Sequence, residues 1–404
     1  MKKKSLKYVL SVALILLLAL PVVGCGNGGA EAPAGDTPGT EAPAEGEVVR
    51  IGWIGALTGD MAVWGISESS SIQMFIDELN EAGGLLGRQV ELVAYDTRGD
   101  SAEAVNAVRR LVSQDGVVGV VGPNTSGQAI PIASVLEEFS VPGIATVATN
   151  PRVTVAEDGT LREFSFRVCF VDAYQGAVAA GYSFNVLGAR TAAVLYDVGS
   201  DYSLGITEVF EESFTALGGE IVALEAFNPG DVDFRPQLTS IGNLNPDIIF
   251  MPYTFREVAL SAQQARELGI TSTFIGTDTW PSMQLLEMAA EFVEGSYFIN
   301  HLDINDPHVA DLRNKYIERH GGREPEINAF LGWDAMQMLV EAIERAGSFD
   351  TVAIRDELRN TDFAGYTGHI VISREDHNPV GKQAAIIRIT NGEFIFQQTY
   401  SPYD

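Results

Sequence analysis

The chain has 404 residues, with 26 Lys and Arg against 54 Asp and Glu, for a formal net charge of −28. So acidic a protein repels nucleic acid and anionic lipid headgroups, which argues against both as partners. Two cysteines, Cys25 and Cys169, are too few to staple a fold of this length.

Lys2, Lys3, Lys4 and Lys7 precede an apolar run from Tyr8 to Val23, the layout of an export signal. A membrane-spanning helix needs about 20 apolar residues, and this run is shorter and ends in Gly24-Cys25-Gly26. A small residue before such a cysteine resembles the bacterial lipobox, in which signal peptidase II cleaves and the cysteine is lipidated. Residues 1–24 are therefore expected to be a signal peptide and Cys25 a lipid anchor. Residues 25–47, rich in Gly, Ala, Pro and acid, read as a disordered tether. Removing a leader with four lysines and no acid takes the net charge from −28 to −32. The expected location is extracytoplasmic, at a membrane surface, held there by the lipid alone. Cys169 is left without a partner.

About 360 residues remain, enough for two lobes with full cores. A strand from Val48 to Ala56 leads into a helix ending near Ala82, in which Ile72, Phe75, Ile76 and Leu79 fall on one face. A strand at Gln89 to Tyr95 and a helix at Ser101 to Gln114 follow. From Val117 to Pro151 the chain reads strand, polar turn, helix from about Gln128 to Phe139, strand Gly143 to Thr146, and a second polar turn. Alternating strands and helices imply a doubly wound parallel sheet. After Arg167 the alternation restarts, with strands at Thr191 to Tyr196, Ile221 to Glu225, Asp247 to Met251 and Thr273 to Gly276. A strand at Ser296 to Asn300 opens a third section with helices at Val309 to His320, Ala329 to Ala346 and Thr351 to Arg359. Strands at His369 to Ile372, Ala384 to Ile389 and Phe394 to Gln397 close the chain. The expected fold is α/β, two doubly wound parallel-sheet lobes joined by a three-segment hinge. Residues 48–171 with 300–374 are expected to form one lobe, and 172–299 with 375–404 the other.

In a strand-helix-strand unit both turns lie at the carboxyl edge of the sheet, where open α/β sheets bind small ligands. Thr125 and Gln128 have capping-box spacing, so a helix start faces that edge. Unpaired amides and the helix dipole favour a carboxylate there by roughly 0.3 to 2 kcal/mol. Ser126 and the backbone of Val147, Ala148 and Thr149 are the expected grip. Gly52, Gly55 and Gly59 do not make a dinucleotide fingerprint and no phosphate loop occurs, so no cofactor is expected. His301, Asp303, Asp306 and His308 fit neither a zinc-protease nor a calcium-loop spacing, and with Pro307 they read as a hinge loop. No metal site, no catalytic residue and no enzymatic activity are expected.

The stretches IGWIGALTGDMAVWG, VVGPNTSGQAIPIA, VPGIATVATNP, YDVGSDYSLG, FIGTDTW and GWDAMQMLVEAIERAG occur here in an order and spacing that resemble one family. It is the type I periplasmic binding proteins, specifically the Leu/Ile/Val receptors of ABC importers. The resemblance covers Val48 to the end. It implies a monomeric receptor that closes two lobes on an amino acid and passes it to a permease. It implies that Ser126, Val147, Ala148 and Thr149 grip the ligand, that Tyr202 covers it, and that Asp278 pairs with its ammonium. Trp64 and Thr254 stand where the family often has tyrosines, at the side-chain end of the pocket. Those two changes keep open non-amino-acid ligands such as amides, urea-like compounds or aromatic carboxylates. A protein presenting its ligand to a separate sensor is a further alternative.

Overall fold

The computed structural model describes residues 48–403, so the expected signal, tether and Cys25 lie outside the described residues. The first half is built from β1 (Val49–Gly55), α1 (Ala62–Glu81), β2 (Val90–Asp96), α2 (Ser101–Arg110), β3 (Val120–Val121), α3 (Ser126–Phe139), β4 (Gly143–Ala145) and β5 (Ser165–Arg167). These strands form a parallel sheet in the order β2-β1-β3-β4-β5. The order reverses between β1 and β3, which leaves a crevice between the turns that follow them. Gly122 in the second of these turns has φ +88°, and a Cβ there would run into the Ile54 carbonyl. Only glycine brings the backbone that close.

The second half comprises α4 (Asp172–Gly181), β6 (Thr191–Asp197), α5 (Asp201–Ala216), β7 (Glu220–Phe227), α6 (Arg235–Leu244), β8 (Ile248–Phe250), α7 (Phe255–Glu267), β9 (Thr273–Gly276), α8 (Met283–Ala289) and β10 (Tyr297–Asn300). Next come α9 (Ala310–Arg319), α10 (Ile327–Ala346), α11 (Thr351–Leu358), β11 (Asp362–Gly365), β12 (Gly368–Val371), β13 (Ala384–Thr390) and β14 (Glu393–Tyr400). The second sheet runs β14-β13-β10-β9-β8-β6-β7 and reverses between β6 and β8. Its core strands are parallel, while β13 and β14 pair antiparallel along one edge. β11 and β12 form a separate two-stranded hairpin.

The apolar faces found by periodicity are the buried ones. Ile72 and Ile76 of α1 share a core with Met336, Leu339 and Ile343 of α10, so the third helical section covers the first sheet. Two further cores flank the second sheet, one around Phe234, Phe274 and Trp280 and the other around Phe210, Phe214 and Phe250. The chain passes between the sheets three times, after β5, after β10 and between β12 and β13. Among the described residues no helix is long and apolar enough to cross a membrane.

The capping-box expectation is corrected. Thr125 is the N-cap of α3, but its side chain makes no cap hydrogen bond. The Gln128 carbonyl is engaged elsewhere, accepting from the Thr97 hydroxyl at 3.0 Å.

Candidate functional site

The two reversal points face each other across a cavity of about 310 Å³. Its walls come from the turns after β1 and β3 and the start of α3 on one side. The turns after β6, β8 and β9 supply the other. Of the residues singled out in the sequence, Trp64, Ser126, Val147, Tyr202, Thr254 and Asp278 line this cavity. Ala148 and Thr149 do not; they are fully packed behind it.

One end is arranged for a negative charge. Ser126 is the first residue of α3, where helix amides lack partners within the helix. Its hydroxyl oxygen accepts from the Asn150 amide at 3.2 Å, which leaves its own proton free for an acceptor in the cavity. The turn that carries Asn150 is held from behind by Arg167. The Arg167 guanidinium donates to the carbonyls of Ala148 and Asn150, both at 2.8 Å.

The other end is arranged for a positive charge. Asp278 sits in the turn after β9 with its side chain 1% exposed. Its Oδ1 accepts from the Tyr202 hydroxyl at 2.8 Å and its Oδ2 from His301 Nε2 at 3.0 Å. Burial pushes the His301 pKa down, so the ring is neutral and Nε2 carries the proton toward the carboxylate. The pair is a hydrogen bond and not an ion pair, and the charge of Asp278 is left for a ligand. Burial, with the Asp278 charge next, raises the Tyr202 phenol well above its usual pKa, so it stays protonated and donates to the carboxylate.

Asp172, the first residue of α4, lies close to Asp278. It is 1% exposed, and neither of its carboxyl oxygens has a hydrogen-bond partner of ordinary geometry. Burial raises its pKa to about 7; the Asp278 charge adds to this, while the nearby Thr149 hydroxyl and Arg167 oppose it. The Thr149 hydroxyl and the Gln175 amide nitrogen are also buried without partners. This cluster of unpaired donors and acceptors beside Asp278 is unusual in a native interior, where buried polar groups are paired.

The cavity wall contains three Asp residues, Asp197, Asp201 and Asp278, and no Lys, Arg or His among the described residues. Asp201 is paired with Arg152 at 3.2 Å, so Asp197 and Asp278 face the cavity without a cationic side chain. Trp64 packs edge-on against Phe255 across the cleft, with ring centroids 5.4 Å apart and planes at 74°. Thr254 is the N-cap residue of α7 and its hydroxyl donates to Glu257. Asp60 pairs with Arg256 at the mouth, and the Asn150 side chain donates to the Asp201 carbonyl at 2.8 Å. These contacts join the two sides, so the cleft is closed.

Sequence reading missed Asp172, Gln175 and His301. His301 had been assigned to a hinge loop, and it does leave β10 at a crossing between the sheets, yet its ring stacks on Phe170 at 3.8 Å and turns back to Asp278. Its chain position carried no signal of that contact, 23 residues away. Among the described residues no group of three or more His, Cys, Asp or Glu is placed to hold a metal ion.

Residues 48–393 match the family model described as periplasmic binding protein. The Leu/Ile/Val-binding protein BraC3 of Rhizobium johnstonii is 31% identical over 77% of this chain and 83% of its own length. The solved leucine binding protein LivK of Thermotoga maritima superposes with a TM-score of 0.82 at 36% identity, covering 88% of this chain and 99% of that one. The branched-chain amino acid transporter substrate binding protein LivJ of Streptococcus pneumoniae, solved in complex with isoleucine, gives a TM-score of 0.80 at 30% identity. It covers the same shares of the two chains.

Proposed function

This chain belongs to the type I periplasmic binding proteins of the branched-chain amino acid class, substrate-binding proteins and not enzymes, and we propose that it captures a zwitterionic apolar amino acid for an ABC permease. The observation that carries this reading is the polarity of one cavity: a helix start with a free hydroxyl proton at Ser126, and an unneutralised buried carboxylate at Asp278. An α-carboxylate at the first and an α-ammonium at the second satisfy both ends. An aromatic acid without an amine satisfies only one of them and leaves Asp278 buried without a counter-charge, which is costly.

Ser126 and Val147 hold the carboxylate end, with Ala148 and Thr149 supporting that turn from behind. Tyr202 both covers the ligand and holds Asp278. Trp64 and Thr254 shape the side-chain end. The lobes divide as 48–171 with 300–374, and 172–299 with 375–404, and they rotate about the three crossings. Ligand charge neutralises Asp278 and draws Trp64 onto Phe255, so the closed form gains population when the ligand binds. The chain acts as an extracytoplasmic monomer anchored through a lipid on Cys25.

A thermal-shift screen of the body from Val48 onward tests the reading, after unfolding and refolding to remove carried-over ligand. The panel is the twenty amino acids, small amides and aromatic carboxylates. A ligand at 100 times its Kd stabilises by about 2.7 kcal/mol. Stabilisation by leucine, isoleucine or valine is the expected result. Stabilisation only by amides or aromatic acids refutes the amino-acid reading and leaves the fold untouched.

A further inference from the structure

A second cavity, of about 470 Å³, shares two of its walls with the first. The turn after β9 gives Asp278 and Thr279 to the first cavity and Pro281 and Met283 to the second. The start of α10 gives Asn328 to the first and Glu326 and Ile327 to the second. The Ser282 hydroxyl donates to the Glu326 carboxylate at 3.3 Å and joins the two segments. The remaining wall comes from α8, from β10 with the crossing that follows it, and from the antiparallel edge of the second sheet.

Most of that wall is apolar. Phe298 on β10 and Phe394 on β14 meet edge to face, with ring centroids 5.2 Å apart and planes at 81°. Leu286 and Ile304 continue the surface, and Met283 and Ile395 line it while 50% and 40% exposed. A concave apolar surface with large exposed apolar side chains at its rim is the kind of place where an apolar molecule docks.

The polar part is acidic. Asp303, Glu324, Glu326 and Glu393 line the cavity, and Arg313 is its one cationic side chain among the described residues. Arg313 is already taken, because its guanidinium donates to both carboxylate oxygens of Glu324 at 2.9 Å. Asp303, Glu326 and Glu393 form no ion pair among the described residues. Glu326 is the best placed of the three. Its backbone amide donates to the Ser67 hydroxyl at 2.8 Å, which fixes its position, and its carboxylate receives only the long Ser282 hydrogen bond. Burial raises its pKa to about 7 against that hydrogen bond, and the Glu287 charge adds to the rise. A carboxylate short of partners in such a place gains from a cation.

We propose that this cavity binds a small apolar cation, a primary ammonium on a hydrocarbon or aromatic body without a carboxylate. The ammonium sits at Glu326 and the body lies against Phe298, Phe394 and Ile395. Charge complementarity selects this occupant and separates the site from the first cavity. An amino acid would bring its α-carboxylate among four acids and no free cation.

The test is isothermal titration of 2-phenylethylammonium into wild type, Glu326→Gln and Ile395→Arg, with 2-phenylethanol and 3-phenylpropanoate as neutral and anionic counterparts of similar size. For a fragment of this size the expected Kd is roughly micromolar to millimolar. Wild type is expected to bind the ammonium about tenfold more tightly than the alcohol, the gain from a charge-assisted hydrogen bond, and to give no measurable heat with the acid. Glu326→Gln keeps the volume, removes the charge and is expected to lose that tenfold preference. Ile395→Arg brings a fixed cation into the cavity from an exposed position on β14 and is expected to abolish binding of the ammonium. No measurable binding to wild type, equal affinities for ammonium and alcohol, or wild-type affinity in either variant overturns the proposal. Wild-type affinity in both variants would place the ammonium elsewhere, as at Asp278. Should Glu326→Gln fail to fold, Ile395→Arg decides alone. No arm uses an amino acid, so the result stands apart from the amino-acid reading of the first cavity.

Discussion

Asp278 is the residue on which binding should depend most. Its side chain is 1% exposed, and no Lys, Arg or His shares the cavity wall among the described residues, so a ligand ammonium placed there has Asp278 as its nearest facing counter-charge. Asp278→Ala also strands the Tyr202 hydroxyl and the His301 Nε2 proton, both of which donate only to this carboxylate or to a weaker second partner. Truncating one partner of a desolvated charge pair costs about 2 to 5 kcal/mol, or roughly 30-fold to several thousand-fold in Kd. Asp278→Asn removes the charge and keeps the volume. Its amide can accept from one of the two donors and must oppose the other. Calorimetric titration of L-leucine into wild type and both variants reads the effect, with the melting curve of each ligand-free protein as the control for folding. Binding by Asp278→Asn within about threefold of wild type would falsify the charge argument.

Trp64→Ala removes the edge-on contact with Phe255 that bridges the cleft, and is expected to weaken binding by about tenfold through a faster off-rate, read by stopped-flow fluorescence or surface plasmon resonance. Asp60→Ala breaks an ion pair whose partners are both largely exposed, so its effect on Kd should stay below about fivefold and vanish in high salt. The Asp172 pKa is raised in the folded state, so this carboxyl is easiest to bury when protonated. Stability from it is present below its ordinary pKa of 3.8 and is lost as pH rises toward about 7. Asp172→Asn should therefore raise the melting temperature of the ligand-free body more at pH 8 than at pH 4, and an equal gain at both values would refute this. In a cell that lipidates exported proteins, Cys25→Ala should abolish fatty-acid labelling and release the chain from the membrane fraction.

The alternation of strands and helices was legible because each core face repeats with its own period, as in α1. Ser126 was legible because a doubly wound sheet brings the turns past its strand ends to one edge. Tyr202, Thr254 and Asp278 were singled out by the family resemblance, and all four line the cavity. What escaped was the layer behind them. Asp172 begins a helix after a crossing, and His301 leaves a strand at another. Their importance comes from contacts made by folding, such as His301 with Asp278, 23 residues away. β5 escaped because three residues carry no usable period, and β11 for much the same reason. Thr125 and Gln128 had the right spacing for a capping box, yet a nearby hydroxyl at Thr97 competed for the glutamine.

The account stands on one cavity recognising both ends of a zwitterion. Its most direct test is a calorimetric comparison of L-leucine with 4-methylpentanoate, the same carbon skeleton and carboxylate without the amine, on ligand-stripped wild-type protein. Tight binding of leucine with no measurable binding of the acid is the predicted result. Comparable affinities for the two would contradict the account, because Asp278 would then be buried beside a ligand that brings it no charge.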